Sequence, residues 1–244
     1  MKRPMGPRQI PCSSCAVRNR SVCGALSDDE IARLNAIAHF KHFGAGSVIL
    51  LDHDEPGYFA NVVTGVVKLT KTLGDGRQQI VGLQFPSDFL GRPFRTRSPY
   101  FAEAASDVTL CTFERGQFER IVKETPGIER RLFEHTLDEL DAAQEWMVLL
   151  GRKTAGEKVA SFLLMVAKRS SQEGCAAAAS LDLVKLELAL SRSEIADYLG
   201  LTIETVSRQI TSLKRRGVIV LEGTRTVVIP DIVKLERLAE QMAG

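Results

Sequence analysis

The chain contains five cysteines, and three of them, Cys12, Cys15 and Cys23, stand in a Cys-x2-Cys-x7-Cys run near the N-terminus. A fourth, Cys111, lies in Leu110-Cys111-Thr112-Phe113, and Cys175 sits beside Ala176–Ala179 in a low-complexity linker. Thiolates are soft ligands, and four of them complete either a zinc site or an iron–sulfur site. Spacing alone does not choose between the two. Cys111 has a second reading, as the small buried hydrophobe that a strand cysteine commonly is. Cys175 reads as a bystander. Arg18 and Arg20, between the second and third cysteines, either lower thiolate pKa values by proximity or are solvated loop charges. His39, His42, His53 and His135 show no ligand-like pairing and read as surface or satisfied residues.

The other chemistry-bearing constellation runs from Leu190 to Arg208. Ser191 with Glu194 forms a capping box that starts a helix, Ile195, Ala196 and Leu199 give its buried face, and Gly200 supplies a left-handed turn residue. Thr202 then caps a second helix, which makes a helix-turn-helix. On that second helix Ile203, Val206, Ile210 and Leu213 read as the core side. Glu204, Ser207 and Arg208 share another face near its N-terminus, the end that enters the major groove in such motifs. Arg208 can pair bidentately with guanine O6 and N7, Glu204 can accept from cytosine N4, and Ser207 can serve a base or a phosphate. The alternative is a solvated face with a Glu–Arg i,i+4 pair. From Thr202 to Arg225 there are five bases against two acids, a local net charge of +3 where the whole chain has +2. Lys214, Arg215 and Arg216 would follow phosphates, with Arg225 at the tip of a following strand pair.

These residues need elements to hold them. At 244 residues, 44% hydrophobic and 25% charged, the composition is that of a soluble globular protein of one large or two modest domains. No stretch approaches the ~20 apolar residues of a membrane helix, and no apolar run follows the basic Lys2, Arg3 and Arg8, so a cytoplasmic location is expected. Residues 1–27 read as a polar, irregular cysteine-bearing segment. A helix is predicted from Asp28 to about His39, started by a Ser27/Glu30 capping box. From Gly44 to about Phe118, strands are predicted at Ser47–Leu51, Tyr58–Thr64, Val66–Thr72, Gln78–Phe85 and Val108–Phe113. Gly74-Asp75-Gly76 reads as a hairpin with positive φ available at both glycines. Short strands at regular spacing predict an antiparallel barrel or sandwich over 28–126.

A long helix is predicted over 127–151. Phe133, Thr136, Leu140, Ala143, Met147 and Leu150 are spaced 3, 4, 3, 4, 3 along it, a heptad seam suited to a partner helix, though an ordinary core helix gives the same pattern. Trp146, Leu149 and Leu137 fall on other faces, available to pack on the barrel. Gly151–Thr154 is a plausible hinge. Residues 152–244 then read as helical from Ala155, followed by the helix-turn-helix and a strand pair, Val218–Leu221 and Thr226–Ile229. The whole is an α+β architecture.

A barrel, a long helix and a winged helix-turn-helix carrying Leu201-Thr202-Ile203-Glu204-Thr205-Val206-Ser207-Arg208 resemble the Crp–Fnr superfamily of transcription regulators. The Glu204/Ser207/Arg208 trio looks like the Fnr branch. Asp138–Ala143, Glu145–Met147 and Leu150–Thr154 are similar to the FnrL/FnrN-type oxygen-responsive members, and the x7 cysteine gap matches them. The resemblance implies a cyclic-nucleotide-binding-domain, jelly-roll-like barrel and a homodimer on double-stranded DNA. It implies TTGAT-like palindromes as targets and recruitment of RNA polymerase. It also implies an oxygen-labile [4Fe–4S] cluster on Cys12, Cys15, Cys23 and Cys111, with zinc as the runner-up, and Glu145 as an acidic interface residue beside Phe133, Leu140, Ala143, Met147 and Leu150. A Crp-type cyclic-nucleotide receptor would carry Gly-Glu in a barrel turn and an Arg further on. Here the turn is Phe89-Leu90-Gly91-Arg92 with Ser98 at the later position beside Arg97, which speaks against a cyclic nucleotide. An iron–sulfur oxidoreductase would need a nucleophile–base pair or a phosphate loop, and the sequence offers neither, so no enzyme is expected.

Overall fold

Along the first half of the chain, side chains alternate between two environments with the period of a pleated strand. In the computed structural model, which describes residues 12–171 and 183–240, this alternation builds eight strands. They are β1 (Ala38–Phe43), β2 (Val48–Leu50), β3 (Tyr58–Thr64), β4 (Val67–Thr72), β5 (Gln78–Gln84), β6 (Phe89–Leu90), β7 (Phe101–Ala104) and β8 (Val108–Glu114). Two four-stranded sheets result, ordered β1-β8-β3-β6 and β2-β7-β4-β5. Ala60, Val62, Leu90, Val108 and Leu110 of the first sheet meet Ile49, Val67, Leu69, Ala102 and Ala104 of the second in one core. The opposite face of the first sheet presents Phe40, Phe59, Val63, Phe89, Cys111 and Phe113 to a second core. This is the double-sheet jelly roll.

That second core is closed by helices and by the N-terminal segment. Helix α1 (Asp28–Ala36) starts at the capping box, with Ser27 Oγ accepting from Glu30 N and the Glu30 carboxylate accepting from Ser27 N. It buries Ile31 and Leu34. Helix α2 (Arg115–Glu124) is capped by Glu114, whose carboxylate accepts from Gly116 N and Gln117 N, and it buries Phe118, Ile121 and Val122. Helix α3 (Pro126–Arg152) follows.

Several expectations change here. Helix α1 ends at Ala36 rather than near His39, because Ala38–Phe43 pair with β8 from Ala38↔Phe113 to Phe43↔Val108. The N-terminal segment is not irregular within the described residues. It winds into 3-10 turns at Cys12–Ser14, Arg18–Arg20 and Val22–Ala25, and it buries Val17, Val22, Cys23 and Leu26. In the β4–β5 hairpin only Gly76 takes positive φ (89°). Asp75 does the work expected of Gly74 by accepting from Arg77 N at 3.0 Å.

The chain divides into two compact units, residues to Arg77 with Val81–Leu140, and Gln78–Ile80 with Asp141 onward. The second unit is built on α4 (Ala155–Ser171), β9 (Val184–Glu187), α5 (Arg192–Leu199), α6 (Ile203–Arg215), β10 (Val220–Glu222), β11 (Thr226–Ile229) and α7 (Ile232–Glu240). Strand β9 and helix α7 are additions to the sequence reading. The wing is three-stranded, β10-β11-β9, because β9 pairs with β11 from Thr226↔Glu187 to Ile229↔Val184. Trp146 finds its aromatic partner within the second unit. Its ring stacks on Tyr198 of α5 with centroids 3.9 Å apart, while Leu137 remains 45% exposed and Leu149 is buried. Among the described residues no helix is long and apolar enough to cross a membrane.

Candidate metal centre and nucleic-acid interface

Cys111 sits mid-strand in β8, and the period-two alternation sends it to the outer face of its sheet. Its register partners are Phe40 on β1 and Asn61 on β3. Over that face lies the N-terminal segment, whose turns are fixed by backbone bonds from Cys15 N to Cys12 O, Arg18 N to Cys15 O and Leu26 N to Cys23 O. Gly24 is required there, since a Cβ on it would lie 2.5 Å from the Asn19 carbonyl oxygen. Cys12, Cys15, Cys23 and Cys111 therefore border one cleft, partly open to solvent, together with Val17, Arg18, Ser21, Phe40, Asn61 and Phe113.

All four are free thiols. Burial pushes the Cys23 thiol up to about 11 and raises Cys111 further, each thiol also feeling the neighbouring cysteines. The Cys12 thiol is raised too, by burial first and then by Cys15. Of the two readings of Arg18 and Arg20, as charges that lower the thiols or as loop charges, Arg18 follows the first in part. Arg18 does pull Cys12 down, but burial outweighs it. Its guanidinium pairs with Asp28 at 3.2 Å, and the Arg20 carbonyl accepts from Arg131 Nη2 at 3.4 Å. Among the described residues no three His, Cys, Asp or Glu side chains converge on a point as a single ion would need. The donor set nonetheless fits a thiolate-bound group, because four sulfurs from two distant segments ring one cleft of mostly apolar lining. Cys175 lies outside the described residues.

Asn61 went unnoticed in the sequence. It is 2% exposed, and its Nδ2 donates to Cys23 Sγ at 3.5 Å. The available signal was one carboxamide inside the otherwise apolar run Tyr58–Val63.

In the second unit the helix-turn-helix forms as the caps dictate. Ser191 N donates to the Glu194 carboxylate at 2.8 Å, and Ser191 Oγ accepts from Glu194 N at 3.3 Å. Gly200 takes φ 61° and ψ 44°, a conformation that favours glycine, and lets α5 end where α6 must begin. Buried Lys158 of α4 holds that turn by donating from Nζ to the Leu199 carbonyl at 3.3 Å. Thr202 Oγ1 accepts from Thr205 N, and Val206, Ile210 and Leu213 anchor α6 in the core. Ile203 departs from the expected core stripe. It is 45% exposed, because in the first turn of α6 the core lies beneath Val206.

Glu204, Ser207 and Arg208 are exposed together on α6, and Thr202, Lys214, Arg215, Arg216 and Arg225 are exposed as well. Arg208 Nη2 donates to Thr205 Oγ1 at 3.1 Å, which restrains the guanidinium near the helix start. The Glu204 carboxyl is held below the usual range by its backbone N–H, by Thr202 and by Arg208. Arg192 was not foreseen. It follows the α5 cap directly, where the helix dipole disfavours a cation, and its buried Nη1 has no hydrogen-bond partner.

The Gly91-Arg92 turn borders another cleft, lined by Arg92, Arg95, Arg97, Ser98 and Tyr100 among others. Ser98 Oγ is committed to the Tyr100 carbonyl at 2.6 Å.

Residues 40–125 match the cyclic nucleotide-binding domain family, and residues 157–238 match the Crp-like helix-turn-helix domain family. The chain is 47% identical over 224 residues to the transcriptional activator protein FnrL of Cereibacter sphaeroides, across 92% of this chain and 90% of that protein. It is 42% identical over 229 residues to the nitrogen fixation regulation protein FixK of Bradyrhizobium diazoefficiens, across 93% of each. The solved structure of FixK2 from Bradyrhizobium japonicum superposes with a TM-score of 0.74 at 33% identity, covering 85% of this chain and 100% of that one.

Proposed function

The chain belongs to the Crp–Fnr family of transcription regulators, and from that membership we propose an oxygen-responsive activator with a [4Fe–4S] cluster on Cys12, Cys15, Cys23 and Cys111. Like its relatives it is a regulator of transcription and not an enzyme. The observation that carries the cluster reading is the single cleft bordered by four thiols from the N-terminal turns and β8. Bound there, the cluster supplies an oxygen-reactive redox centre.

The chain's own residues do the rest. The cysteine turns would be ordered over the sheet by ligation, and Arg131 of α3 already donates to the Arg20 carbonyl between the second and third cysteines. Ligation can bias α3 by this route. Helix α3 exposes Phe133 (64%), Leu140 (51%) and Met147 (64%), large members of the heptad seam whose fourth, Leu150, is half-buried, and the exposed three fit a second copy of the same helix. A two-fold dimer would set two α6 helices on a TTGAT-like palindrome, with Glu204, Ser207 and Arg208 reading bases while Lys214, Arg215 and Arg225 hold phosphates. RNA polymerase is the partner such an activator recruits. Arg92 at the barrel cleft puts a cation where a ribose-binding acid would stand, and Ser98 stands where a phosphate-binding Arg is expected, which supports an effector other than a cyclic nucleotide.

The test is a visible spectrum with iron, sulfide and zinc analysis of protein purified without oxygen. A brown protein with four irons per chain is expected. Serine at Cys12, Cys15, Cys23 or Cys111 should abolish iron uptake, and serine at Cys175 should not. A colourless protein with one zinc would replace the cluster by structural zinc.

A further inference from the structure

Asn61 lies in the middle of β3, between Ala60 and Val62, which both point into the inter-sheet core. Its own side chain points the other way, into the cleft with the four cysteines. It is paired in register with Cys111 on one side and Phe89 on the other. Nδ2 donates to Cys23 Sγ at 3.5 Å, while the buried Oδ1 has no hydrogen-bond partner. An amide here is a poor choice for packing. Strand interiors disfavour asparagine, and a half-satisfied buried carboxamide costs stability that a valine would not. The residue is explained by what its N–H does to sulfur.

Resting on the cluster reading above, we infer that Asn61 is a positioning residue whose N–H···S bond to Cys23 sets the reduction potential and air sensitivity of the bound cluster. Hydrogen bonds to ligand sulfurs draw electron density off the metal–thiolate unit and favour its reduced form. Without the donor the reduced state loses that support. The midpoint potential then falls, and oxidation by oxygen becomes easier. Cys23 remains a ligand in either case, so the effect is on the electronic poise of the site and not on whether it fills.

The experiment uses the full chain, loaded with iron and sulfide without oxygen, as wild type, N61L, N61V and N61T. Leu keeps the branched outline of Asn without a donor, though it is bulkier. Val and Thr are nearly isosteric, both suit a strand, and only Thr keeps a donor. Iron content, midpoint potential and the time course of bleaching in air are measured for each. The expectation is full iron in all four. N61L and N61V should show about a tenfold change in the oxidised-to-reduced ratio at fixed potential, about 59 mV more negative for one electron. Both should bleach several-fold faster, and N61T should fall between them and wild type. Equal potentials and bleaching times in a loaded wild type and its variants would overturn the inference and leave the cluster reading standing. Loss of uptake in N61V and N61T alike would assign Asn61 to packing and also overturn it. A wild type that takes up no iron would overturn both.

Discussion

Arg208 and Glu204 stand one turn apart on an exposed face, and they should fail in different ways. A bidentate Arg–guanine contact is worth about 1–3 kcal/mol, and a two-fold dimer loses it twice. Arg208→Ala should therefore nearly abolish specific binding and leave non-specific binding mostly intact. Its guanidinium is restrained by Thr205, so Thr205→Val should give a weaker version of the same loss. On the proposed footing Glu204 would be an acid near phosphates, so its contribution would be discrimination. Glu204→Ala should relax preference at one position of each half-site and raise affinity for wrong sequences. Lys214→Ala should weaken all sequences alike and flatten the salt dependence. Titrations against the palindrome and its single-base variants at two salt concentrations separate the three. Identical losses for Arg208→Ala and Lys214→Ala on every sequence would mean that α6 does not face the bases as described. The trio was legible in the sequence because caps and apolar spacing fix the rotation of a short helix. Arg192 was not, because its significance comes from a buried, unpaired Nη1 that spacing does not reveal.

At the scale of elements, α3 is held to the barrel by more than apolar contact. His135 Nε2 lies 3.4 Å from Glu139 Oε1, and Gln84 Nε2 of β5 donates to the same oxygen at 3.3 Å. Glu139 raises the His135 pKa most, with burial opposing and Asp88 and Asp138 adding to the rise. A raised folded-state pKa means that protonation favours the folded form. That stabilisation is fully present below the unfolded value near 6.5 and is lost as pH climbs through the higher folded value. His135→Gln should therefore lower the melting temperature by a few degrees at pH 5.5 and by little at pH 8.5. A deficit of the same size at both would show that the imidazolium contributes nothing. The sequence reading left His135 as a surface or a satisfied residue; the second holds, and its partners were not nameable in advance since the β5 residue that completes the arrangement lies some fifty positions away.

For the whole molecule the proposed dimer raises the question of what would bring two copies together. The seam of α3 leaves Phe133, Leu140 and Met147 exposed, and Glu145, also exposed, adds a charge to the same helix. In a parallel pair, like charges brought together oppose association. Glu145→Ala should favour the dimer even without metal at the cysteines. Sedimentation of the air-treated variant should show dimer where the wild type shows monomer, and an unchanged monomer would count against a charge brake. Arg131→Ala tests the other half of the argument. It removes the bond to the Arg20 carbonyl, so iron content should stay the same while the dimer depends less on it. A dimer fraction that still follows iron loading as in the wild type would show that the coupling runs elsewhere.

What the sequence determined by itself was whatever short-range chemistry enforces. The capping boxes at Ser27 and Ser191 formed as their spacing requires, Gly200 took the left-handed turn, and Val206, Ile210 and Leu213 buried one side of α6. The β-branched and aromatic runs of β3 and β8 also marked those strands in advance. Tertiary structure decided what depends on partners far along the chain. Ala38–Phe43 became a strand because β8 offers a free edge to pair with. A polar cysteine segment became ordered turns because the outer face of that sheet buries Val17, Val22 and Leu26. Cys111 joined the N-terminal thiols for the same reason. A strand cysteine may face either core, and only the pairing of β8 between β1 and β3 turned it outward, with Asn61 beside it, onto the face the N-terminal turns cover.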